Sequence, residues 1–441
     1  MKKINNKFAA LVFSLAILLV GCESYLGDDI NVNPNQPTAV PVNVILPAVE
    51  VFLTDVDGGD FSRNASVLMQ QTEGVARQWS SINNYSSFNV AHINTLWNNV
   101  YENILVEISG MKTTANTEGY SHFEGVANIL MAYTLMNATD VWDDIPYSQA
   151  FQGSDLTNPI FDTQASIYTE IFTLITDGKA LLGGSDGGLP LSNDVFYDGD
   201  VAKWIKLANA LEARGRLHLG EPAAALTAEA SAFDEAGDNL SYTYPDAGSA
   251  HPWYRFNRDR NGDIEFHPTM KALMEGLTDT SRLAMYSPTF TPDEHPYLVP
   301  DMKWELISFR EMKFLEAEAL LATSGSGTAI HTAYIAGITA SFAHLGISNA
   351  ELDGYLAGAS VDPGVGNVTL EHIMTQKYIA LFTHLEVYND WRRTGIPTLS
   401  PVSGSSIPVR FPYGSDEHLF NSEAPDAESV DVFTAKVGWD N

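Results

Sequence analysis

Three observations predict an all-α fold, mainly helical, in which a scaffold of helix pairs is interrupted by long irregular loop insertions. Apolar residues Leu370, Ile373, Met374, Leu381, Leu385 and Tyr388 recur at helical spacing, with Tyr378, Ile379 and Phe382 as a second strip. The helix from Leu370 to near Trp391 is therefore covered on two sides. Similar helical patterns recur in pairs upstream. Between Ser241 and Pro300 the periodicity gives way to Pro, Asp, Tyr and Trp, the texture of a long insertion, and ordered loops of that length on a helical scaffold are often functional. A chain of 441 residues can bury ample core without disulfides, which its single cysteine could not supply.

Taken in order, the chain opens with Lys2, Lys3 and Lys7, an almost wholly apolar run from Phe8 to Val20, and then Gly21-Cys22. That run is too short to span a bilayer comfortably. The pattern reads as a lipoprotein signal peptide over residues 1–21, cut before Cys22 so that its thiol carries lipid. Residues 22–47 read as an extended tether, polar and punctuated by Pro34, Pro37, Pro41 and Pro47. One domain is expected over 48–441, with the insertion at 241–300. Its helix pairs are His92–Lys112 with Ser121–Met136, Gln164–Leu182 with Val201–Leu219, and Leu306–Ala322 with Ile330–Leu345. In the final helix Glu371 lies in the first turn and Arg392 and Arg393 at the end, as the dipole prefers, and Gly395 with Pro397 supplies the stop. Asp353–Gly366 is another turn-rich connection, and the chain after Ile396 reads as mostly irregular.

Charge narrows the partners. With 55 Asp and Glu against 24 Lys and Arg, the net charge of −31 argues against nucleic acid and against electrostatic adhesion to an anionic membrane. Attachment falls to the lipid on Cys22.

Motifs that carry chemistry are few. Gly183-Gly184-Ser185-Asp186-Gly187 has the spacing of a hydrolase nucleophile elbow, but a helical run ends where the elbow needs a strand, so the glycines read as a helix C-cap. Asp259, Asn261 and Asp263 place oxygens at alternate positions like the start of a calcium loop, and Asp55, Asp57 and Asp60 form a similar cluster. Neither completes the loop, since Met270 stands where the first would need its glutamate; solvated turns are the default reading, and no cofactor is assigned. Sugar binding asks for flat aromatic faces flanked by hydrogen-bonding groups. Two stretches read as loops have that composition. One holds Arg77, Trp79, Asn83, Asn84 and Tyr85; the other holds Trp253, Tyr254 and Arg255. Trp79 and Trp253 are expected to face ligand. Trp97, Trp142, Trp204 and Trp304 lie in or beside helical patterns and read as core.

The run QKYIALFTHLEVYNDWRRTGIP resembles the C-terminal signature of the SusD/RagB family, the nutrient-binding outer-membrane lipoproteins of Bacteroidetes, with Asn389-Asp390-Trp391-Arg392-Arg393 a small departure in order. NPNQPT (Asn33–Thr38), WDDIPYSQA (Trp142–Ala150), FREMKFLEAEALLA (Phe309–Ala322) and IPVRFPYGSDEHLFN resemble further family stretches in the right order, and the chain is most similar to the shorter members. The acidic pair Asp28-Asp29 resembles the family's export signal to the cell surface. The resemblance implies a TPR-like core and capture of a nutrient at the cell surface, an oligosaccharide or else a peptide. It also implies delivery to a SusC-like TonB-dependent β-barrel transporter, and no catalysis. Two other readings stand beside it: a helical-repeat scaffold that binds a protein, and a lipid-anchored glycosidase, although spacing singles out no catalytic carboxylate pair.

Overall fold

The computed structural model describes residues 40–291, 295–426 and 430–440. Cys22, the leader and the tether as far as residue 39 lie outside the described residues. Contacts divide the chain between Pro41 and Val42, and the second unit is the folded body.

Helix α1 (Val42–Val56) begins inside the stretch read as tether and contains Pro47. Proline cannot donate to the Asn43 carbonyl four residues back; Asn193 does so instead, Nδ2 to O at 2.8 Å. The helix continues through a π-helical turn, Asp57–Phe61, into α2 (Ser62–Leu68). Strand β1 (Thr72–Gly74) leads to α3 (Arg77–Asn83). Helix α4 (Val90–Asn98) then passes through a second π-helical stretch, Asn99–Leu105, into α5 (Val106–Glu118).

Helix α6 (Ser121–Trp142) is the centre of the body. Every residue from Gly125 to Trp142 is buried, which a helix tolerates only when neighbours cover all its sides. Strands β2 (Ile145–Pro146) and β3 (Phe161–Asp162) pair, and α7 (Gln164–Leu182) then packs on α6. Gly125 and Gly178 face each other there: a Cβ on Gly125 would lie 3.1 Å from the Gly178 carbonyl oxygen and 2.9 Å from Leu182 Cγ, so glycine permits the close crossing. Helix α7 ends at Leu182 with Gly183 as its C-cap, the reading that displaced the nucleophile elbow. Helices α8 (Val201–His218) and α9 (Pro222–Glu229) stack in turn.

The insertion is less irregular than expected. Strand β4 (Leu240–Thr243) is followed by α10 (Pro252–Asp259), β5 (Ile264–Phe266), α11 (Pro268–Gly276) and α12 (Thr280–Tyr286), and β6 (Lys303–Ile307) pairs back onto β4. These helices span only 7 to 9 residues, too few for a 3.6-residue period to emerge. Caps define them instead: Pro252 and Pro268 stand in their first turns, and His251 and His267 accept the N–H of Trp253 and Thr269.

Helices α13 (Phe309–Ala322) and α14 (Gly327–His344) form the next pair, and α15 (Asn349–Leu356) occupies the start of the turn-rich connection. The single helix expected from Leu370 is two: α16 (Leu370–Ala380) and α17 (Glu386–Thr394). Thr383 lies between them in the left-handed region, φ 67°. Its N–H donates to Gln71 Oε1 at 2.7 Å, its carbonyl accepts from Ser62 Oγ at 2.6 Å, and Gln71 Nε2 donates to the Tyr378 carbonyl at 2.7 Å. The break thus ties the C-terminal helices to α2. Helix α18 (Ser415–Phe420) docks on α4 through Asp416, whose carboxylate accepts from Asn94 and Asn98.

Charges of the C-terminal signature lie inside the protein. Lys377 Nζ meets Asp390 at 2.8 Å, and Arg393 holds Glu318 with two nitrogens at 2.8 and 3.2 Å while reaching Asp390 at 2.6 Å. His218 Nε2 contacts Glu386 at 2.9 Å, and Arg214 grips Glu311 at 2.7 and 2.8 Å. Burial opposes a charge on His218, but Glu386 and Asp140 beside it push its pKa up to about 9. Each of these buried charges has an opposite partner, without which its desolvation would be prohibitive. Trp97, Trp142, Trp204 and Trp304 are buried, as their sequence context predicts.

Candidate functional site

Pairing of β1 with β5 brings together the two stretches that composition singled out. Thr72 pairs with Phe266 and Gly74 with Ile264, so α3, just after β1, lies against the end of α10, just before β5. The Val75 N–H donates to the Asp263 carbonyl at 2.8 Å, and Arg77 forms an ion pair with the Asp263 carboxylate. Trp79 of α3 meets Phe256 of α10 edge to face, ring centres 5.6 Å apart.

This junction walls two adjoining concavities, about 340 and 280 Å³, which share Asp60, Arg63, Phe256 and Arg260. Both π-helical segments contribute: the first carries Asp60, the second Asn99. Such wide turns re-aim the residues that follow and recur at functional sites. At the shared boundary Arg63 donates to Asp60 at 2.6 Å and lies over the Phe256 ring, 5.0 Å from its centre. On one side Arg255 pairs with Asp55 at 2.6 Å, and Tyr244 Oη donates to the other oxygen of Asp55 at 2.7 Å. On the other side His92 packs edge-on to Trp79 and contacts Asn64 Oδ1 through Nε2 at 2.7 Å. The Asn64 amide nitrogen is spent on the Asp60 carbonyl, so Oδ1 accepts and His92 Nε2 carries the proton. Burial lowers the His92 pKa, which keeps the ring neutral.

The expected contact residues divide. Arg77, Trp79 and Arg255 are at the cleft or its edge, Trp79 and Arg255 directly lining it. Trp79 is only 3 % exposed, with Nε1 left without an acceptor, so it forms the floor and not an open platform. Trp253 is a correction: it is fully buried, donates Nε1 to Ser62 Oγ at 2.7 Å and packs on Phe290. Tyr254 is buried as well. Asn83 and Asn84 close α3, Asn84 capping a turn by accepting the Ser86 N–H. Tyr85 turns away toward Phe433, with its hydroxyl accepting the Val402 N–H. Both stretches are helical, contrary to the loop reading, because α3 and α10 are each too short to show a period. Sequence reasoning did not select Arg63, His92, Asn99, Phe256 or Arg260, and noted Asp60 only in an acidic cluster that resembles a calcium loop. The signal available for Phe256 was its place in the aromatic-polar stretch, three positions beyond Trp253.

The acidic residues that resembled calcium loops have partners within the chain. Asp263 is fully buried and shared by Arg77 and Arg260. Asp259 pairs with Arg258. Asp57 accepts from Tyr133 and Trp304, while burial raises its pKa to about 6. No group of three or more His, Cys, Asp or Glu side chains converges among the described residues in a way that could hold a metal ion.

A larger cleft, about 980 Å³, is lined by Tyr297, Met302, Phe309, Ile335 and Ala340. Size favours it; chemistry does not. Its exposed wall is mainly apolar and Arg310 and Asn239 both donate to Glu305, while Asp234, Glu235, Asp301 and Lys303 also line it and His344 Nε2 is buried without a partner.

Comparison with known proteins identifies the architecture. The family profile described as starch-binding, associating with the outer membrane, matches residues 34–297 and 271–414. No curated protein matches the chain. A SusD/RagB family protein from Bacteroides thetaiotaomicron has a similar structure, with a TM-score of 0.75 at 21 % identity over 91 % of this chain and 99 % of that one. A chitin-binding SusD homolog from Flavobacterium johnsoniae gives 0.71 at 21 % identity, over 91 % and 98 % of the two chains. A SusD homolog from Bacteroides fragilis gives 0.75 at 18 % identity, over 91 % and 99 %. A helical scaffold shared over nearly the whole body, together with a profile that covers most of the sequence, makes this chain a member of the SusD-like family.

Proposed function

We propose that this protein captures an oligosaccharide in the Arg63–Phe256 cleft, is held to the outer membrane by lipid on Cys22, and passes its cargo to a SusC-like TonB-dependent β-barrel. The carrying observation is the cleft itself. Two segments rich in aromatic and hydrogen-bonding groups, distant in sequence, are joined by β1 and β5 around a ring flanked by guanidinium and carboxylate groups, which is the chemistry a pyranose requires. Two structurally similar proteins are named as chitin binders, which supports a sugar over a peptide. Hydrolysis fits less well: each carboxylate lining the cleft is held by an arginine, whereas a glycosidase needs one carboxyl able to carry a proton. No helix among the described residues is long and apolar enough to cross a membrane, so import of the cargo needs another molecule. Sharing one membrane raises the effective concentration of binder and transporter, so a modest interface suffices.

The test is to tag the C-terminus, solubilise outer membranes in mild detergent and identify what co-purifies from wild-type and Cys22→Ser cells. A large β-barrel should accompany the wild-type protein, and Cys22→Ser should move into the soluble fraction. Recovery without any β-barrel would reject the partner; a Cys22→Ser protein still in the membrane fraction would reject the anchor.

A further inference from the structure

Several hydrogen-bond donors of the Arg63–Phe256 cleft are left unspent. Trp79 Nε1 and Arg63 Nε are buried without acceptors. Arg255 engages Asp55 through Nη2 and Arg260 engages Asp263 through Nε, and their side chains remain 40 % and 41 % exposed. The lining carboxylates are each engaged by an arginine, although each keeps lone pairs of its own. Asp55 takes Tyr244 on one oxygen and Arg255 on the other, Asp259 takes Arg258 on both, and Asn64 Oδ1 takes His92; Asp60 keeps one oxygen. Asp263 is a single carboxylate divided between two arginines. The walls of the cleft set three arginines, Arg63, Arg255 and Arg260, against three aspartates, Asp55, Asp60 and Asp259, a local balance in a chain whose net charge is −31.

A neutral hydroxyl brings a donor with every acceptor and carries no charge for the part-exposed guanidinium groups of Arg255 and Arg260 to meet. A carboxylate or sulfate only accepts, and its paired oxygens match the fork of a guanidinium. We infer that the cleft selects an oligosaccharide bearing oxyanion groups, carboxylate or sulfate, over a neutral one; the inference rests on the reading of this cleft as a sugar site.

The experiment is calorimetric titration of the purified full chain at low salt with hexasaccharides of galacturonate (carboxylate), κ-carrageenan (sulfate), maltose-type glucose and chitin. At least one oxyanion sugar should bind about tenfold or more tighter than both neutral ones, as charge-assisted hydrogen bonds imply, and which one does so identifies the group. Added salt should weaken that binding. Arg255→Gln and Arg260→Gln should each lower the oxyanion affinity about tenfold while changing any neutral binding much less. Arg260→Gln leaves Arg77 on Asp263, and thermal melts check that both variants are folded. Neutral sugars that bind as tightly as the acidic ones, or a preference for acidic sugars that survives both substitutions, would overturn the inference and leave the sugar reading standing. Failure of all four to bind would overturn the sugar reading with it.

Discussion

Trp253 and Phe256 stand three positions apart on α10 and have opposite environments. Trp253 is sealed in the core with its indole N–H on Ser62, while Phe256 is half-buried beneath Arg63 at the cleft. Trp253→Ala should cost about 3–5 kcal/mol of stability, the usual range for emptying a large aromatic site. Phe256→Ala should leave the fold nearly intact but reduce sugar affinity about tenfold, because its loss removes a stacking face and the support under Arg63. Chemical denaturation beside calorimetry separates the two; a Phe256→Ala protein that loses stability but keeps its affinity would make the ring a packing residue. Composition could mark this segment as rich in aromatic and polar groups. It could not say which ring faces inward, since eight residues give two turns and each face holds an aromatic.

Among the elements, long helices were the most legible, because apolar periodicity over 18 or more residues leaves little freedom, and α7 begins and ends where its pattern does. The break between α16 and α17 was not legible, since residues on both sides of it remain buried and the pattern runs on unbroken. The break is held from outside by Gln71, whose amide serves the Thr383 N–H and the Tyr378 carbonyl. Gln71→Ala would leave both backbone groups buried without partners and should cost about 2–5 kcal/mol. Equilibrium unfolding in urea measures this; a loss below about 0.5 kcal/mol would mean that the break is held by α16 and α17 themselves. The π-helical segments were equally hidden. Nothing in Asp57–Phe61 departs from an ordinary helical sequence except its two glycines, yet this turn carries Asp60 to the cleft.

For the whole molecule, the stretches that resembled the family gave the architecture, and the structure shows why their charges matter: Lys377, Glu386, Asp390 and Arg393 belong to a buried network joining α8, α13, α16 and α17. His218 is its pH-sensitive member. Its folded pKa, about 9, lies above the ordinary value of 6.5, so its contribution is fully present below about pH 6.5 and is lost as pH rises through 9. That contribution is on the order of 3 kcal/mol. Melting temperature should fall between pH 7 and 10 in the wild type and less steeply in His218→Gln; parallel profiles would show that His218 does not carry the dependence. The candidate site was least legible, because it depends on β1 meeting β5, and Arg77 and Asp263 are 186 residues apart. The most direct test of the cleft as the site of capture is a crystal structure with the tightest-binding oligosaccharide from a glycan panel. Sugar density should lie over Phe256, within hydrogen-bonding reach of Arg63, Arg255 or Arg260. Density in the larger cleft between Tyr297 and Phe309, with the Phe256 cleft holding only water, would contradict it.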